Sequence, residues 1–105
     1  MTTFNENLAG LPDTDGISRL ELNDSNDAII ATIENKAGSQ GSLRVYRYLA
    51  EKYGAITPDA AQEGLDLYAE HTTDALANSG KHPNIDRLLE LIKHGATLTV
   101  RVISI

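Results

Sequence analysis

The chain has 105 residues, 41% hydrophobic and 23% charged, proportions that suit one globular α+β domain and argue against disorder. The absence of cysteine excludes a disulfide framework, a thiolate metal site and a cysteine nucleophile. Fifteen acids against nine Lys/Arg give a net charge of −6, which argues against nucleic-acid binding, whose affinity comes mostly from neutralising phosphates.

Residues 1–16 read as a turn of helix and a loop, with Phe4, Leu8 and Leu11 on one side and Gly10 and Pro12 as its stop. This N-terminus has neither a basic n-region nor an apolar h-region, so no secretory signal is expected. No apolar run approaches the roughly 20 residues of a membrane helix. The cytoplasm is the economical location, with no membrane partner.

Ile17–Leu22 and Ala28–Glu34 flank an Asn/Asp/Ser cluster and predict a β-hairpin. Pairing Leu22 with Ile29, Leu20 with Ala31 and Ser18 with Ile33 gathers the apolar side chains on one face. Arg19, Glu21, Thr32 and Glu34 then fall on the other. Lys36–Ser42 reads as a flexible loop. From Leu43 the period becomes helical, with Val45, Tyr46, Leu49, Ala50 and Tyr53 on one side and Gly54 as the stop.

Thr57 and Pro58 start a second helix, as N-cap and first-turn proline, that is expected to run to about Leu76. Pro83 starts a third, striped by Ile85, Leu88, Leu89 and Ile92 and ended by Gly95. Thr97–Ile105 is the strongest strand pattern in the chain. The order β-β-α-α-α-β predicts three helices packed on one face of a three-stranded sheet. Such a sheet has two edges, and Ile103 and Ile105 on its polar face leave monomer and homodimer both open.

Charge is unevenly placed. Residues 55–80 hold five acids and no Lys or Arg: Asp59, Glu63, Asp66, Glu70 and Asp74. On one continuous helix they would share a stripe about 80° wide. A solvated face and a docking face for a partner with a basic surface are both consistent with it, although acids at i,i+4 repel. A calcium site is not, because acids along a rigid helix do not surround one ion.

Two polar segments could hold an anion. One is the Gly/Ser-rich loop with Lys36, Gly41 and Arg44, which feeds a helix N-terminus but lacks the Lys-Ser/Thr of a P-loop. The other is the turn Lys81-His82-Pro83-Asn84 with Arg87, facing Tyr68 or His71. No third ligand accompanies His82 and Asp86, so neither a metal nor another cofactor is expected. Ser42 has no visible triad, no catalytic residue is assigned, and a chain this short leaves little interior volume for a pocket.

Two resemblances bear on these segments. Residues 30–54 resemble the first strand–helix unit of amino-acid-binding ACT domains, but Ala37 stands where proline is expected and helices follow where two strands should. Gly38–Leu43, Gly64–His71 and Gly80–Leu89 together resemble a family of small uncharacterised bacterial proteins. That resemblance implies a bacterial cytoplasmic setting and carries no activity. The expectation is a non-enzymatic interaction module using the acidic helix face. Its alternative is a small-molecule domain, binding or enzymatic, built on the Lys81–Asn84 turn.

Overall fold

Alternating apolar residues build a three-stranded antiparallel sheet. In the computed structural model, which describes residues 2–105, the strands are β1 (Ile17–Asn23), β2 (Ile29–Glu34) and β3 (Thr99–Ser104), in the order β2-β1-β3. The hairpin's first strand is therefore central, and the distant last strand pairs with it. Leu20, Leu22, Ile33 and Leu98 are buried on the helix-packed side of the sheet. Arg19 pairs with Glu21 at 3.2 Å, and Thr32, Glu34 and Arg101 are exposed.

The hairpin register differs from the expected one by two residues: Leu20 faces Ile33, Leu22 faces Ala31 and Asn23 faces Ile29. The loop decides it. Asp24 Oδ1 accepts from the N–H groups of Asn26 and Ala28, and the Asp24 N–H donates to the Ala28 carbonyl at 3.0 Å. This closure sets Asp24 against Ala28 and leaves a bulge at Leu22/Asn23. A slip of two keeps Leu20, Leu22, Ala31 and Ile33 on the expected face, whereas Ile29, beyond the bulge, is 54% exposed instead of buried.

The described residues form five helices where three and a turn were expected, in the order α1 (Phe4–Ala9), α2 (Gln40–Tyr53), α3 (Pro58–Tyr68), α4 (Glu70–Ala77) and α5 (Pro83–His94). Two corrections matter for the site. First, α2 starts at Gln40 rather than Leu43, because a turn at Lys36–Gln40 feeds directly into the helix. Gly41 and Ser42 therefore lie in its first turn. Second, the long second helix is broken at Ala69, whose φ of 51° and ψ of −115° leave the helical region.

Tertiary hydrogen bonds hold that break. In a continuing helix the Leu65 carbonyl would accept from the Ala69 N–H, but Thr72 Oγ1 donates to it instead, at 2.6 Å. The Leu67 carbonyl accepts from Asn7 Nδ2 of α1 at 2.9 Å, and the Phe4 N–H donates to Glu70 Oε1 at 2.8 Å. The kink turns α4 so that Ala75 is buried while Leu76 is 67% exposed. In α5 the stripe is Ile85, Leu88 and Leu91, with Ile92 at its exposed margin.

Close packing joins α3 to its neighbours at Gly64. A Cβ there would lie 2.7 Å from Leu88 Cδ1 and 2.9 Å from Leu49 Cδ1. The glycine thus costs helix propensity but lets α2 and α5 approach the α3 backbone.

Candidate functional site

An open cleft of about 440 Å³ lies where α1, the first turn of α2, the α3–α4 kink and the turn before α5 meet. A shortage of volume was expected of so short a chain, but this cleft forms between elements at the surface. Gly38, Gln40, Gly41 and Ser42 contribute from the loop and α2, Tyr68 and His71 from either side of the kink, and Lys81 to Ile85 from the turn and α5. Phe4 and Leu8 of α1 complete the lining. At Gly41 an added Cβ would lie 3.1 Å from Phe4 Cζ and 3.4 Å from Leu8 Cδ1, so glycine here lets α1 sit against the first turn of α2.

The start of a helix leaves N–H groups without intrahelical acceptors and a positive dipole end. In α1 and α3 Thr3 and Thr57 cap these groups. Neither α2 nor α5 has a side-chain cap, although both are long. Proline at the first position of α5 removes one N–H, and the Ile85 and Asp86 N–H groups turn back to the His82 carbonyl. The two uncapped starts contribute Gly41, Ser42 and Asn84 to the same cleft.

The polar side chains around them are oriented. Tyr68 is 3% exposed, and burial pushes its phenol up, so the hydroxyl stays protonated and donates to Ser42 Oγ at 2.7 Å. The Ser42 proton remains available to another acceptor. His82 Nε2 lies 2.6 Å from Asp74 Oδ2, and Lys81 Nζ lies 3.0 Å from the same oxygen. The bonds from His82 and then Lys81 pull the Asp74 carboxyl down to about 2. An ionised carboxylate only accepts, so His82 Nε2 carries hydrogen and Nδ1 is left for other contacts.

The sequence-derived anion residues divide between the cleft and its supports. Gly41, Lys81, His82 and Asn84 line the cleft. Lys36 instead pairs with Glu34 at 2.6 Å on the surface. Arg44 donates to the carbonyls of Leu11 and Pro12, tying the segment after α1 to α2. Arg87 stands behind the turn, donating to Asn84 Oδ1 at 2.8 Å and to the Tyr46 hydroxyl at 3.2 Å.

The acidic residues do not form one face, because the kink at Ala69 separates Asp59, Glu63 and Asp66 from Glu70 and Asp74. Glu63 Oε1 accepts from Lys52 Nζ and the Tyr53 hydroxyl, both at 2.7 Å. Burial pushes its carboxyl up, but these bonds outweigh it and hold the group below its usual range. The bond from the Phe4 N–H likewise lowers Glu70. Among the described residues, Asp59 and Asp66 are exposed and have no salt-bridge partner. The described residues contain no group of three His, Asp or Glu side chains placed to hold a metal.

Sequence reasoning missed Phe4 and Leu8. Their spacing marks an apolar side of α1, but nothing local indicates which elements that side meets.

A family model described as an uncharacterized protein conserved in bacteria (DUF2322) matches residues 4–102. The chain belongs to this family. The three segments that resemble a small bacterial family, residues 38–43, 64–71 and 80–89, are the ones that supply the cleft from α2, the kink and α5. No curated protein and no solved structure matches the chain. None of the described helices is long and apolar enough to cross a membrane.

Proposed function

We propose that this bacterial protein binds a small anionic metabolite, in the cytoplasm, at the cleft between α2 and α5. One observation carries the reading: two helix starts without side-chain caps share a cavity of about 440 Å³ with Lys81. Unpaired N–H groups and positive dipole ends favour a carboxylate or phosphate. The volume falls in the range of ordinary small-molecule sites. The Ser42 hydroxyl adds a donor that can orient a bound anion. The reading is one of binding, with no reaction assigned.

The test is a titration of the full chain with acetate and with inorganic phosphate, followed by amide NMR shifts. Saturable shifts centred on Gly41, Ser42 and Asn84, weakened by Lys81→Met, support the site. Shifts that do not saturate at millimolar anion, or that centre elsewhere, overturn it.

Docking of a basic partner surface on α3 is the weaker reading. It draws on Asp59 and Asp66, since Glu63 and Asp74 already hold Lys52 and Lys81. A partner recovered with the wild type and lost with Asp59→Lys plus Asp66→Lys would favour it over the cleft.

A further inference from the structure

We infer that the anion held in this cleft carries a flat ring, so that the ligand class is an aromatic or heteroaromatic carboxylate or phosphate. The inference rests on the anion-binding reading above and adds a second set of contacts to it.

The rings of Tyr68, Phe4, His71 and His82 form an unbroken run beside the cavity, and all four line it. Phe4 stacks on Tyr68 with centroids 5.2 Å apart and planes 19° from parallel. His71 meets Phe4 edge-on at 5.1 Å and 85°, and His82 lies 5.6 Å from His71. The chain has one phenylalanine, four tyrosines and three histidines, so half of these eight rings stand at one cleft. Tyr68 belongs to the core and Phe4 packs against it, leaving part of the run open to the cavity. Phe4 and His71 are only half-buried, and α1 adds nothing to the fully buried set.

Aromatic rings attract a further ring by offset stacking or edge contact at the same 4.5–7 Å spacing. Lys81, Ser42, Gly41 and Asn84 line the same cavity, the Lys81 ammonium also pairing with Asp74 at its edge. A ligand with its charge among these groups has ring-lined wall within one ring's reach. A ringless anion would satisfy the N–H groups and leave that apolar wall in water.

The full chain is titrated with acetate, benzoate, inorganic phosphate, phenyl phosphate and the uncharged ring benzamide, reading the amides of Gly41 and Asn84 and the ring of Phe4. Benzoate should bind about tenfold more tightly than acetate, and phenyl phosphate about tenfold more tightly than phosphate. Whichever pair gives the larger gain identifies the charged group, and either supports the inference. Phe4→Leu keeps apolar bulk on a half-buried helix, and should bring the benzoate-to-acetate and phenyl phosphate-to-phosphate affinity ratios down toward one. His71→Leu provides the second, independent removal of a ring. Equal affinity for ringed and ringless anions overturns the inference and leaves the anion site standing. Failure of every anion to bind, or benzamide binding as tightly as benzoate, overturns both.

Discussion

Asp74 Oδ2 and His82 Nε2, 2.6 Å apart, tie α4 to the turn that begins α5. His82 and Lys81 hold the Asp74 carboxyl at about 2, against an ordinary 3.8. A carboxyl lowered on folding adds stability above its unfolded value and loses that contribution as pH falls through its folded value. Wild type should therefore melt above Asp74→Asn at pH 5, with the gap closing between about pH 4 and pH 2. Melting curves across that window check it, and a gap that persists undiminished at pH 2 would contradict the pairing.

The kink at Ala69 makes a second prediction. A φ of 51° with ψ of −115° is strained for any residue with a Cβ, at a cost on the order of 1–3 kcal/mol. Glycine relieves the strain but gains more freedom in the unfolded chain, worth roughly 0.5–1 kcal/mol. Ala69→Gly should raise stability by about 1 kcal/mol, read from denaturant midpoints at constant m-value. A loss would mean that the backbone at residue 69 is not in this conformation.

Alanine at the break explains why the sequence concealed it. Ala69 is the strongest helix former, and the acids at 59, 63, 66, 70 and 74 keep helical spacing straight through it. The break is held from α1, by Asn7 on the Leu67 carbonyl and Phe4 on Glu70, 60 and 66 residues away in sequence. No local window contains that information. The strands and the stripes of α2 and α5 were legible because one buried face imposes a period of 2 or 3.6 on the residues themselves. Hairpin register was legible only to its face, because the Asp24 closure, not the alternation, sets the pairing. The two polar segments of the cleft were likewise visible as glycine-rich loop and Lys-His-Pro-Asn turn. Their meeting was not, since it depends on where α1 and α4 dock.

Gly64 tests the packing that brings α5, and with it the turn, against α2. Alanine would improve helix propensity by about 1 kcal/mol at this position in an exposed helix. Here its Cβ would press into Leu88 and Leu49 at 2.7 and 2.9 Å. Overpacking typically costs about 1–3 kcal/mol, so a net loss of roughly 1–2 kcal/mol is expected. Gly64→Ala combined with Leu88→Ala should be less than additive, because the second change removes the clash. Strict additivity in denaturant titrations would show that the two side chains do not compete for space.

Tyr46 connects the core to the cleft. It is fully buried, donates to the Asn84 carbonyl at 2.5 Å, and accepts from Arg87 Nη1, which also holds Asn84 Oδ1. Burial pushes its phenol up to about 12, so it is protonated throughout the neutral range. Tyr46→Phe leaves the part-buried Asn84 carbonyl and Arg87 short of a partner, at a cost of about 1–3 kcal/mol. A phenol raised on folding stabilises fully below its unfolded value of 10 and loses that contribution as pH rises through its folded value. The wild type should accordingly lose stability between about pH 10 and pH 12 more steeply than Tyr46→Phe, so that the gap between them narrows. Because the same hydroxyl fixes the first turn of α5, the variant should also bind phosphate more weakly at pH 7 while keeping its far-UV CD spectrum. Parallel alkaline curves for the two proteins would remove Tyr46 as the group that couples core and cleft. Unchanged phosphate affinity would show that α5 holds its first turn without it.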